Sequence, residues 1–156
     1  MIKVISVFGT RPDTIKMAPL VALLDKDESF EHIVCVTGQH REMVKQILEV
    51  FDINPKYDLD IMKQGQSLDY VTSAILVRFS EVLDIEKPDM ILVHGDTNTC
   101  LSASIAAFYK KIPVGHVEAG LRTEDIFSPY PEEFCRRTVD SIATLYFAPT
   151  KSNANN

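Results

Sequence analysis

The chain of 156 residues holds only three cysteines, at 35, 100 and 135, an odd number with no metal-like spacing. That argues against a disulfide framework or a metal site and suits reduced thiols in a cytoplasmic protein. Positive charge is scarce: 16 Lys and Arg stand against 22 Asp and Glu, for a net charge of −6. Nucleic acid and an anionic membrane are therefore poor candidates as main partners, and any anionic ligand needs a local cluster of cations. No apolar run approaches the ~20 residues of a membrane span. The start, "MIKVISVFGT", carries one Lys and no small-residue cleavage site, so it reads as a first strand, not a signal peptide. There is no GxGxxG turn, and the second apolar run ends in "VTGQH" without an acid for a ribose, which argues against NAD. No cofactor is expected.

What remains is ordinary globular composition, 46% hydrophobic and 24% charged, at a length that suits one domain. Apolar runs at 3–8, 31–37, 57–60, 90–94, 114–118 and 145–148 read as strands. Helical patterns lie between them at 12–25, 41–51, 67–85, 97–110 and 131–143. The alternation predicts an α/β fold, a Rossmann-like doubly wound parallel sheet over 1–150. Residues 151–156, "KSNANN", read as a polar tail or the start of a linker. The chain would thus end as a complete sheet finishes.

In such a sheet ligands bind beyond the carboxyl ends of the strands, so the turns there carry the functional signal. In "FGTRPDTIK", Gly9 suits a tight turn, while Thr10 and Asp13 resemble a capping box. Arg11 and Lys16 oppose the helix dipole there, at about 0.3–1 kcal/mol each. They are either solvated surface cations or an anion site at a helix N-terminus. In "HGDTNT", the spacing favours Asp96 as a cap of the helix starting at Thr97. Glu118 ends an apolar strand, where a carboxylate must be paired. Arg122 is one partner; an acid or base working near neutral pH is the functional reading. His116 and His94 read as satisfied core histidines. In "SPYPEEFCRR", Glu132 and Glu133 suit the first turn of a helix opening at Pro131. If that segment folds over the sheet edge, Glu132 joins Asp96 and Glu118 on one rim.

Six stretches, "VFGTRPDTIKMAPLV", "VTGQHREM", "YDLDIMKQGQSL", "KPDMILVHGDTNT", "AAFYKKIPVGHVEAGLRT" and "SPYPEEFCRR", together resemble the non-hydrolysing UDP-N-acetylglucosamine 2-epimerases. The resemblance runs in order through nearly all of residues 2–150 and concerns only the N-terminal half of that family. It implies one half of a GT-B-like fold, with the active site in a cleft whose other wall is an absent second domain. Family chemistry interconverts UDP-N-acetylglucosamine and UDP-N-acetylmannosamine by loss of the carbon-2 proton, elimination of UDP, and re-addition. By resemblance Asp96, Glu118 and Glu132 match the catalytic carboxylates. Arg11 and Lys16 match basic residues near the diphosphate, and Arg136 is a retained substrate-binding Arg. Asp96 would then both cap a helix and face the cleft. Gln39, His40 and Gln66 match a second, allosteric UDP-N-acetylglucosamine site; their plainer reading is a polar loop capping the next helix.

The chain departs from the family at three places. Asp13 and Thr14 replace Glu and Ala, Gly65 stands where some members carry Arg, and Cys135 replaces an Asn. The resemblance further implies a homodimer for the full-length protein and no activity for this chain alone. The alternatives are a hydrolysing epimerase releasing N-acetylmannosamine and UDP, or a non-catalytic module that binds a nucleotide-sugar or dimerises.

Overall fold

Six apolar runs pair edge to edge, all parallel, in the order β3-β2-β1-β4-β5-β6. They are β1 (Ile2–Phe8), β2 (Phe30–Val36), β3 (Tyr57–Asp58), β4 (Met90–His94), β5 (Val114–Val117) and β6 (Leu145–Phe147). The helices between them are α1 (Arg11–Leu24), α2 (Arg41–Val50), α3 (Leu68–Glu86), α4 (Asn98–Tyr109), α5 (Glu132–Ile142) and the short α6 (Lys151–Ala154). This computed structural model describes the backbone of residues 1–156 and every side chain except that of Arg41.

Alternation along β1 divides the core between two faces. Ile5 and Val7 pack with Ile75 and Phe79 of α3, Ala103 and Ala107 of α4, and Val139 of α5. Val4 and Phe8 pack on the other face with Met17 and Val21 of α1 and Val44 of α2. Both faces are covered, so the central strands run buried on consecutive residues and do not alternate buried with exposed, as a parallel sheet requires. The expected doubly wound sheet is what the chain forms.

The connections leave β1 toward β2 and β3, and leave β4 toward β5 and β6. A crevice therefore opens above the carboxyl ends of β1 and β4, where the winding reverses. Two details depart from expectation. The weak strand at 57–60 shrinks to Tyr57–Asp58. Within 151–156 the chain forms α6, with Asn153 and Asn156 donating to the Gly120 carbonyl at 3.3 and 2.7 Å. Among the described residues no helix is long and apolar enough to cross a membrane.

Candidate active site

The β1–α1 turn forms one wall of the crevice. Gly9 is required there for space, not for a left-handed turn: a Cβ on it would lie 1.8 Å from Thr37 Oγ1 and 2.9 Å from Thr99 Oγ1. The first turns after β1, β2 and β4 therefore touch. The expected capping box forms, with Asp13 accepting from the Thr10 N–H at 3.0 Å and bonding its hydroxyl. Burial pushes the Asp13 carboxyl up, against the lowering effect of the bonds from Thr10 and Gly9. Arg11 is exposed and has no ion-pair partner among the described residues. Lys16 reaches across the crevice instead, its Nζ 2.6 Å from Glu118 Oε2.

The β4 turn corrects one expectation. The N-cap of α4 is Thr97, whose side chain accepts from the Cys100 N–H at 3.2 Å, and the helix opens at Asn98. Asp96 precedes the cap and does not serve it. Gly95 adopts φ +67°, which turns the chain so that Asp96 meets Arg136 Nη2 at 2.8 Å. Capping would have lowered the pKa of Asp96. Instead it is raised: burial is the main cause, with Glu132 and Glu118 adding to it and Arg136 and Lys16 opposing. That Glu118 and Glu132 both act on Asp96 places the three carboxylates in one cluster.

Glu118 follows β5 with φ +66°, a left-handed conformation unfavourable for a residue with a Cβ. Its partners are Lys16 and His94, the latter with Nε2 at 3.5 Å, and not Arg122. His94 is buried, and that burial drives its imidazole down to about 4; Lys16 and His116 act in the same direction and Glu118 against it. A neutral ring therefore sits beside Glu118 at physiological pH. Arg122 pairs with Asp140 Oδ2 at 2.7 Å. His116 is wholly buried, with Nδ1 2.5 Å from Asp140 Oδ1 and Nε2 2.6 Å from the Gly95 carbonyl. It belongs to the core, as the sequence suggested.

Helix α5 closes the rim, with Glu132 and Glu133 in its first turn. Glu132 Oε2 is buried without a hydrogen-bond partner among the described residues. Glu133 has no exposed surface and lies 2.5 Å from Arg137 Nε and 3.4 Å from Arg136 Nε. Burial works to raise its pKa, but Arg137 and the Thr123 backbone outweigh it. Glu133 and Asp140 escaped sequence reasoning as bracing residues. Their signal was available: Glu133, Arg137 and Asp140 recur at i, i+4 and i+7, one charged stripe along the helix. Cys135 is buried nearby, its thiol pushed up to about 12 chiefly by desolvation.

Gln39, His40 and Gln66 come together beyond β2. Gln66 Nε2 lies 3.5 Å from the Gln39 carbonyl, and Gln39 Oε1 accepts from Thr99 at 2.9 Å. His40 occupies the N-cap position of α2 but makes no side-chain cap bond; its backbone N–H donates to the Gly9 carbonyl at 3.1 Å. Gly65 sits at φ +66° with open space around it.

The rim thus combines three carboxylates that can hold or move a proton with cations that can stabilise an anion. A family model described as UDP-N-acetylglucosamine 2-epimerase matches residues 22–156. The UDP-N-acetylglucosamine 2-epimerase of Yersinia pestis is 58% identical over 154 residues, which is 99% of this chain and 41% of that protein. Its counterpart from Escherichia coli K12 is 56% identical over the same shares. A crystal structure of UDP-GlcNAc 2-epimerase from Neisseria meningitidis bound to UDP-GlcNAc superposes with TM-score 0.96 at 52% identity, over 99% of this chain and 42% of that one. Acinetobacter baumannii MurG, at 14% identity and TM-score 0.64 over 92% of this chain and 40% of its own, shares the fold alone. The chain spans about 41% of the length of the curated relatives it matches.

Proposed function

The chain belongs to the UDP-N-acetylglucosamine 2-epimerase family, and from that premise we propose that it supplies the N-terminal half of the epimerase active site. Residues 1–150 act as the Rossmann-like domain of a non-hydrolysing enzyme, and a second domain completes the cleft. The reaction interconverts UDP-N-acetylglucosamine and UDP-N-acetylmannosamine. The carbon-2 proton is removed, UDP leaves by anti elimination, UDP adds back, and a proton returns to the opposite face.

The observation that carries this reading is the clustering of Asp96, Glu118 and Glu132 on the rim where Lys16 and Arg136 are also held. Proton transfer at carbon 2 needs acid/base groups beside it, and the departing diphosphate needs cations. Arg11 and Lys16 beside the α1 N-terminus suit the diphosphate, where backbone N–H groups add to their charge. Arg136 holds Asp96 in place. Gln39, His40 and Gln66 are assigned to a regulatory nucleotide-sugar, and a homodimer to the complete protein.

Alone, the chain leaves its carboxylates facing water, which weakens electrostatic stabilisation and removes the positioning that proton abstraction needs. Incubation with UDP-N-acetylglucosamine in deuterated water, read by mass spectrometry, should show no deuterium at carbon 2. Adding the C-terminal portion of a family member should restore some incorporation. Steady incorporation by the 156-residue chain alone overturns the need for a second half. The alternative reading is a nucleotide-sugar-binding or dimerising module. Binding without incorporation in the combined sample would favour that module.

A further inference from the structure

The ring of His116 is held from both sides. Nδ1 meets the Asp140 carboxylate at 2.5 Å and Nε2 meets the Gly95 carbonyl at 2.6 Å. The carbonyl can only accept. Asp140 is an acceptor too: burial works to raise its pKa, but the bonds from His116 and Arg122 prevail and leave it below its ordinary value. Both bonds are made only when both ring nitrogens carry hydrogen; a bare nitrogen would face an acceptor in a site with no water-exposed surface. Asp140 is itself fixed, by Arg122 Nη2 at 2.7 Å and the Gly120 N–H at 3.3 Å.

Gly95 lies between His94, which faces Glu118, and Asp96, which faces Arg136. Its carbonyl also accepts from Cys100 Sγ at 3.3 Å, and its N–H donates to the Val117 carbonyl at 2.9 Å. Every polar group of that residue is engaged while its φ is +67°. We infer that His116 is a positioning residue for the carboxylate rim: backed by Asp140, it holds the Gly95 peptide in the turn that aims Asp96 into the crevice. The inference rests on the epimerase reading for the purpose of the rim, and the clamp is a property of this chain alone. The groups around it come from every neighbouring element: Asp140 from α5, Arg122 from the loop after β5, Cys100 from α4, and His94 from β4. Tyr146 of β6 bonds the Asp140 carbonyl at 2.9 Å.

The test is long-range proton–nitrogen NMR of the labelled 156-residue chain without nucleotide-sugar, so its outcome is independent of whether the chain belongs to an epimerase active site. His116 should carry hydrogen on Nε2, donated to the Gly95 carbonyl. Asp140→Asn, nearly isosteric, removes the carboxylate that backs Nδ1. The same variant should move the Gly95 and Asp96 amides and shift the Asp96 carboxyl titration by at least about half a pH unit. His116→Gln, which keeps an N–H donor, provides a second arm if Asp140→Asn does not fold, and should move the same resonances. A bare Nε2 on His116 in the wild-type chain overturns the proposal. So do Gly95 and Asp96 resonances that stay in place in the variants.

Discussion

Asp96 carries the clearest tension between stability and chemistry. Its carboxyl is raised from the ordinary value of 3.8, mainly by burial, so the folded chain holds that proton more tightly than the unfolded chain does. The stabilising effect is therefore present at low pH and declines as pH rises through the interval above 3.8. At neutral pH the ionised side chain is a net cost that its bond to Arg136 only partly offsets. Asp96→Asn should raise the melting temperature at pH 7 by about 2–4 °C, roughly 1 kcal/mol for a chain of this size. The advantage should vanish in melts recorded at acid pH. A variant that melts below wild type at pH 7 would show that the Arg136 bond outweighs burial. The capping role suggested by spacing fails because Thr97, one residue on, has the extended backbone and the hydroxyl that a cap requires.

At the scale of elements, one buried carboxylate ties three of them together far from the rim. Glu86, at the end of α3, accepts from Lys56 Nζ at 2.6 Å, Tyr57 Oη at 2.5 Å and Lys3 Nζ at 3.4 Å. Its side chain is 6% exposed. The bond from Lys56 is the largest cause holding its carboxyl down at about 2, with those from Tyr57 and Lys3 acting the same way against burial. A depressed carboxylate contributes stability that is present above its ordinary 4.5 and is lost as pH falls toward about 2. Glu86→Gln should cost about 1–3 kcal/mol at pH 7. Urea unfolding at successively lower pH should show the gap to wild type closing through that interval. A gap independent of pH would assign the effect to packing. None of this was legible from the sequence, because β1, β3 and α3 meet there only through the sheet order.

Across the whole molecule, the Lys16–Glu118 pair spans 102 residues of sequence and bridges the two windings of the sheet. A nucleoside diphosphate bound over the α1 N-terminus would compete for Lys16. Titrating UDP to millimolar concentration should shift the backbone amides of residues 9–16 and, with the same midpoint, that of Glu118. Lys16→Met should weaken the effect and uncouple the two sets. If the amides of residues 9–16 do not move, the anion site fails; if they move and Glu118 does not, the pair does not respond to the ligand.

The sequence by itself determined the class of fold, because alternation of apolar strand runs with helical patterns is a local property that burial on both faces rewards wherever the segments meet. It also determined which turns would carry chemistry, since parallel strands present their carboxyl ends on one side, and it carried the six stretches whose order marks the family. Tertiary structure alone decided the partners. Glu118 took Lys16 and His94 instead of Arg122 four residues on, Arg122 took Asp140, and Asp96 took Arg136. Charges choose partners by distance and burial in space. The left-handed turns at Gly95 and Glu118, together with the register of β4 against β5, set those distances in ways that no spacing along the chain records.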